Sequence, residues 1–278
     1  MAGVMVLVIT FLSVTLSHDH ARSWAVGLFT LVLFVACGEL MFSNREHQPG
    51  QILQWMFIAT LPLLAFHLVM TLGRTDGRIW SPTALANLMA ALLMPALALR
   101  RLGWSIYALA VVLVVGSRGG WLNVVAGLFA LAILQNSIGE FIKRLWPVGF
   151  IALPIMAVQV LRPFERVSMW ETAIAMFKTA PVLGMGPGTF GLYHPLYPDA
   201  HNLVLNIAAE MGLLGVMAFG LLAVAVGRAL YERRAQPFTR GVIASFVGML
   251  ASGLIGVPTY EIAVSVALAA LIGVALHD

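Results

Sequence analysis

Apolar runs long enough to cross a bilayer recur along this chain from Met1 to Leu276, and no other feature restricts its fold as sharply. A membrane-crossing helix needs about 20 consecutive, predominantly apolar residues. Only 10% of the 278 residues are charged and 60% are hydrophobic, with mean hydropathy +0.93. Soluble globular domains carry roughly 25% charged residues, so that class is excluded. Intrinsic disorder is excluded too, because it requires low hydrophobicity and high net charge. A transmembrane β-barrel would show alternating segments of about ten residues, whereas these runs are continuous. The expected fold class is all-α: a polytopic transmembrane helical bundle forming one integral membrane domain over residues 1–278.

Polar breaks predict about ten spans, near 1–17, 23–42, 51–72, 82–99, 102–117, 119–136, 145–161, 202–227, 241–257 and 262–276. Met1–Ser17 reads as a retained first span, since neither a basic leader nor a small-residue cleavage site is present. Cys37 is the single cysteine, so no intramolecular disulfide forms. One connection is long, residues 162–201. Residues 102–135 as one helix would run ~50 Å against a hydrocarbon core of ~30 Å, so the chain is expected to turn at Ser117-Arg118-Gly119-Gly120. Glycines permit the turn, and a lone arginine costs less at an interface than at the bilayer centre.

Lysine and arginine in the connections set the orientation. With the N-terminus cytoplasmic, the inside loops carry nine and the outside loops seven, and the densest cluster, Arg228 to Arg240, lies inside. Both termini are therefore expected in the cytoplasm, with the long loop and Arg118 on the outer side. The net charge of +4 reports orientation and anionic lipid head groups, not a nucleic-acid partner.

Three groups collect on the outer face. Arg118 is either a snorkelling arginine that marks the interface or, with Gly119 and Gly120 beside it, a site where a phosphate meets guanidinium and backbone N–H. In the long loop, Glu165–Thr179 reads as an amphipathic interfacial helix with an apolar stripe at Val167, Trp170, Ile174 and Phe177. Arg166 and Trp170 sit on neighbouring turns of one face. The Gly184-Met185-Gly186-Pro187-Gly188 run reads as a compact turn.

His201 opens the next span, above a mostly small face of Leu205, Ala208, Gly212 and Gly215. The helix dipole there is expected to keep the ring neutral, either as a proton acceptor or as a plain interfacial hydrogen-bonding group. Glu210 falls nine residues further along the chain, ~180° around the helix and ~13 Å deeper. It reads as a structural hydrogen-bonding group, with Asn206 as its nearest candidate partner. There is no zinc motif, Walker loop, nucleophile elbow or Asp-x-Asp pair.

In order, the chain carries Ser117-Arg118-Gly119-Gly120-Trp121, then Arg166-x-x-x-Trp170-Glu171. Next come Pro181-x-x-Gly184-x-Gly186-Pro187-Gly188-x-Phe190 and His201-Asn202-x-x-Leu205, leading into Glu210-x-Gly212-Leu-Leu-Gly215. Over residues 110–222 this resembles the O-antigen ligase and O-antigen polymerase superfamily of bacterial membrane proteins. The resemblance implies an enzyme of polysaccharide or lipopolysaccharide biosynthesis in the inner membrane, with its active site facing the periplasm. It would move a glycan from an undecaprenyl diphosphate carrier to an acceptor hydroxyl, inverting the anomeric centre, with no metal and no cofactor. By the same resemblance Arg118 and Arg166 would bind the diphosphate and His201 would be the base, with Arg162 in reserve for Arg166. Trp170, His194, Asn202 and Glu210 would support the site or contact substrate, and His194 competes for the base role.

Physical chemistry agrees with those roles. A diphosphate leaving group needs charge neutralisation more than a general acid, and arginine supplies it bidentately. A histidine titrates near the working pH of a base. Family members expected to match are longer, so the acceptor (a lipid core, a growing polysaccharide or a protein hydroxyl) stays open. The competing class is a transporter or lipid-glycan binding protein, in which the arginines hold an anion without reaction. Transporters commonly place their sites at the midplane between repeats, and here the charges gather at one face.

Overall fold

The computed structural model describes residues 49–54, 56–58, 60, 82–135, 139, 166–194, 196–256 and 262–277. Among these the regular structure is helical. In chain order the helices are α1 (Pro82–Ala98), α2 (Leu102–Val115), α3 (Arg118–Leu134), α4 (Arg166–Thr179), α5 (Phe190–Tyr193), α6 (Leu203–Glu232), α7 (Pro237–Gly253) and α8 (Ile262–His277). The expected spans 1–17, 23–42 and 145–161 lie outside the described residues, as do most of 51–72 and Arg162. The described residues fall into two compact units, one holding 166–229 and 253–256, the other 49–139, 230–252 and 262–277.

In the second unit α1 is the central helix, packing against α2, α3 and α8, and its residues from Leu85 to Met94 are almost entirely buried. Pro95 interrupts its hydrogen-bond ladder. Proline has no N–H, so the Ala91 carbonyl four residues earlier loses its helical donor. Ser245 of α7 supplies the replacement, its Oγ donating to Ala91 O at 2.5 Å. Gly241, one turn earlier on α7, lies so close to the Pro95 backbone that a Cβ would collide with it. A carbonyl orphaned in an apolar environment is costly, and α7 is shaped to relieve it.

The turn between α2 and α3 falls slightly earlier than the sequence suggests. Gly116 takes the left-handed conformation (φ 65°), and Ser117 is the N-cap of α3, accepting from Gly120 N at 3.4 Å. Arg118, Gly119 and Gly120 therefore form the first turn of a helix rather than the bend. The glycines serve packing: a Cβ on Gly120 would run into Ala86 of α1, and one on Gly119 would press on Ser252 Oγ.

The helix α6, most of which belongs to the first unit, is the one helix among the described residues long and apolar enough to cross a membrane. It is interrupted at Gly212, whose φ of 65° and ψ of −165° are open essentially to glycine alone. From Leu213 to Glu232 the remaining helix is still about 30 Å long, the thickness of a hydrocarbon core. Leu213, Met217, Leu221 and Val224 are exposed along one side of it, as a lipid-facing stripe would be. The described apolar helices Thr83–Ala98, Leu102–Val115, Arg118–Leu134 and Ala267–Leu276 are shorter.

The break in α6 is repaired by the glycine-rich loop. An intact helix would pair Leu213 N with Ala209 O and Leu214 N with Glu210 O. Instead Leu213 N donates to Pro181 O (2.8 Å) and Leu214 N to Val182 O (3.2 Å). The two stranded carbonyls, Ala209 O and Glu210 O, accept from Met185 N (3.0 Å) and Gly186 N (2.9 Å). All four backbone groups freed by the break thus find partners in residues 181–186, meeting the requirement that buried backbone polar groups be paired. The close approach demands glycine on both sides. A Cβ on Gly184 would collide with the Glu210–Met211 backbone, and one on Gly212 with the Val182 carbonyl.

Candidate active site

The start of α5 and the loop that follows it are each held by a side chain of α6. Glu210 is fully buried and its Oε1 accepts from Phe190 N at 3.1 Å, while Asn206 Oδ1 accepts from Ala200 N at 2.9 Å. The expected Asn206–Glu210 pair is not formed: Glu210 accepts from the first amide of α5, Asn206 Oδ1 from a loop amide, and Asn206 Nδ2 has no partner. The first half of α6 thereby ties down the start of α5 and the end of the loop after it. Met169, Ala173, Met176, Met185, Phe190, Ala200 and Ala209 form the apolar core beneath it, with Trp170 and Tyr197 packed against them. Burying a phenylalanine such as Phe190 contributes about 1.5–3 kcal/mol.

That core meets a face of the amphipathic helix other than the expected stripe. The face α4 turns to the protein is Met169, Ala173 and Met176, and Val167 and Ile174 are exposed. Trp170 and Phe177 are half-buried between the two faces. Of the expected stripe, Trp170 packs against that core, while Val167 and Ile174 are left open, as an interfacial helix would leave them.

His201 precedes α6 rather than opening it. Asn202 is the N-cap: its carbonyl accepts from Asn206 N (2.9 Å) and its Oδ1 from Leu205 N (3.0 Å). His201 stands just outside in the left-handed region, with φ 48°, where histidine is one of the few side chains tolerated. Its backbone N–H donates to Asp199 Oδ1 at 2.7 Å, and its ring Nδ1 lies 2.6 Å from the same oxygen. Tyr197 meets the ring edge-on at 5.8 Å.

The hydrogen bond and charge of Asp199 raise the His201 pKa above its ordinary value, against burial and the nearby Arg166 guanidinium, both of which lower it. The expectation of a ring held neutral by the helix dipole is thus reversed in direction. A carboxylate in direct contact outweighs partial charges at a helix end.

Arg166 starts α4, and its guanidinium donates to Ile255 O at 2.6 Å. Asn202 Nδ2 donates to the adjacent carbonyl, Leu254 O, at 3.0 Å. The structure therefore brings Arg166 and His201 within electrostatic reach of each other in one unit. His194 is buried, stacked on Phe190 at 5.9 Å, and its Nδ1 accepts from Tyr197 N at 3.3 Å, which places the ring proton on Nε2. Arg118 belongs to the other unit, at the first turn of α3, and Arg162 lies outside the described residues.

Sequence reasoning missed Asp199. The available signal was Pro198-Asp199-Ala200-His201, an aspartate two residues before a histidine in a turn-forming segment, the spacing at which an Asp side chain caps a backbone N–H.

Residues 164–220 match the family model described as O-antigen ligase, and this supports membership of the O-antigen ligase superfamily. The matched residues all fall in the unit that carries Arg166 and His201. No curated protein matches the chain.

Proposed function

Starting from membership of the O-antigen ligase superfamily, we infer that this chain is a membrane glycosyltransferase. It moves a glycan from undecaprenyl diphosphate to an acceptor hydroxyl at the outer face of the bacterial inner membrane. The observation that carries this reading is the pairing of a partly exposed histidine with an arginine in the matched segment, His201 with Arg166.

In the reaction, Nε2 of neutral His201 takes the proton of the acceptor hydroxyl. The acceptor oxygen attacks the anomeric carbon from the face opposite the diphosphate. The bond from that carbon to the diphosphate oxygen breaks, and its electron pair leaves with the phosphate, inverting the centre. Arg166 offsets the charge that grows on the departing diphosphate, and Arg118 joins it on the strength of the sequence resemblance. Such charge stabilisation is worth several kcal/mol in a site shielded from water. A polyprenyl tail lies in the bilayer, which suits a site beside a membrane-length helix.

Reconstitution in proteoliposomes with an undecaprenyl-diphosphate glycan tests the reading, offering in turn a lipid core, a polysaccharide end and a peptide hydroxyl. Transfer to one of them is expected, lost in His201→Ala while the protein still inserts. Full transfer by that variant would remove the base assignment. Arg118→Lys is expected to impair transfer strongly, because an ammonium does not reproduce the bidentate contact. Lysine working as well as arginine would remove Arg118 from the diphosphate.

A further inference from the structure

We propose that Asp199 is the positioning residue for His201, gripping both its backbone and its ring so that Nε2 is presented to the acceptor hydroxyl. This rests on the reading of His201 as the base.

One carboxylate oxygen performs both tasks. Asp199 Oδ1 accepts the His201 backbone N–H at 2.7 Å, closing a tight turn, and meets ring Nδ1 at 2.6 Å. The first contact holds a backbone conformation, φ 48°, that a non-glycine residue adopts at a cost. The second fixes the ring about its side-chain torsions and selects the tautomer with the proton on Nδ1. Nε2 is then the acceptor nitrogen, on the far side of the ring from Asp199. Tyr197, edge-on at 5.8 Å, limits ring rotation from another direction.

The backbone on either side of His201 is tied down: Ala200 N donates to Asn206 Oδ1, and Asn202 Nδ2 donates to Leu254 O. Charge also follows the chemistry. When the ring accepts the hydroxyl proton it becomes an imidazolium, which the Asp199 carboxylate stabilises where it forms. Among the described residues, Asp199, Arg166 and Tyr197 are the charged and titratable groups that face the ring, and the first two act in opposite directions.

The test uses the full chain in nanodiscs with labelled histidine, the His201 signal being assigned by its loss in His201→Ala. In Asp199→Asn the His201 titration is expected to move to lower pH. Transfer should fall about 10²-fold or more in kcat with KM little changed, the size of a general-base contribution. Its pH profile should move the same way. Asp199→Glu, which keeps a carboxylate, should restore part of both the titration and the rate, and serves if the asparagine variant does not fold. A His201 titration unmoved in Asp199→Asn overturns the proposal whatever the chain does to glycans. A moved titration with kcat and its pH profile unchanged overturns the positioning role. Transfer retained by His201→Ala is a different failure: it removes the base reading and leaves the Asp199–His201 pair as a contact without that task.

Discussion

Arg166 and Asn202 donate to consecutive carbonyls of one short segment, Arg166 to Ile255 O at 2.6 Å and Asn202 to Leu254 O at 3.0 Å. Two residues 36 positions apart are thereby aligned on the same stretch of backbone. Asn202 is next to His201, so the segment sets the spacing between the cation and the imidazole. Asn202 also caps α6 through Oδ1, and its two roles can be separated by substitution. Asn202→Ala loses both and should cost about 1 kcal/mol or more in stability together with most of the transfer. Asn202→Asp keeps the cap and loses the donor. Thermal stability in detergent should then stay near that of the parent while transfer falls. Aspartate matching asparagine in transfer would show that the Leu254 contact has no part in alignment.

At Gly212 backbone conformation and close approach coincide. Gly212→Ala is expected to destabilise the fold by at least about 2 kcal/mol. That combines the penalty for a side chain in the left-handed region with an overpacking cost against the Val182 carbonyl, a backbone group that yields little. Gly220, on the same helix, has open space where a Cβ would stand, with nothing within 4 Å of it. Gly220→Ala should therefore be neutral or add up to about 1 kcal/mol through helix propensity. Comparing the melting temperatures of the two variants checks the assignment. Equal behaviour would mean that the seam between residues 181–186 and 209–214 does not hold as described.

Pro95 and Ser245 form a testable pair in the other unit. Ser245→Ala leaves the Ala91 carbonyl without a donor and should cost about 1–3 kcal/mol. In a Pro95→Ala background the restored N–H at position 95 takes over that carbonyl, and the same serine substitution should cost little. A double-mutant cycle measured by denaturant or thermal unfolding is expected to show coupling of about 1 kcal/mol or more. Independent, additive effects would remove the compensation.

Arg166 and Asp199 pull the His201 equilibrium in opposite directions, which gives pH experiments a sign. A base works as neutral imidazole, so transfer should rise as pH climbs through the His201 pKa, which Asp199 raises. Arg166 disfavours the imidazolium, so its removal raises that pKa further. Arg166→Gln should move the rising limb of the pH–rate profile to higher pH, besides weakening the hold on the diphosphate. A limb that stayed in place would put Arg166 beyond electrostatic reach of His201.

Much of this architecture is legible in one dimension. The starts of α1, α2, α3 and α8 fall within a residue of the expected edges, because apolar length and polar breaks are local properties. Arg166, His201, Asn202 and Glu210 also stand out, as polar groups are scarce in such a chain and each must be accounted for. Asp199 escaped notice because aspartate in a loop after proline is unremarkable until its oxygen is seen on the imidazole. The face of α4 that meets the protein, Met169, Ala173 and Met176, went unnamed for a related reason. A helix with two apolar sides does not declare which one meets the protein and which is left open.

Amino-acid sequence alone determined that this is a helical membrane chain with a loop bearing Arg166 and His201, since transfer free energy depends on composition and local periodicity. Tertiary structure decided what the glycines and carboxylates are for. Gly184 and Gly212 are separated by 28 positions, yet each is required by the backbone that the other brings close. Glu210 looked like an ionisable group deep in a span, but it closes a loop through the Phe190 amide. Hydrogen-bond partners and close approaches are set by which distant segments meet, and that information becomes local only once the chain has folded.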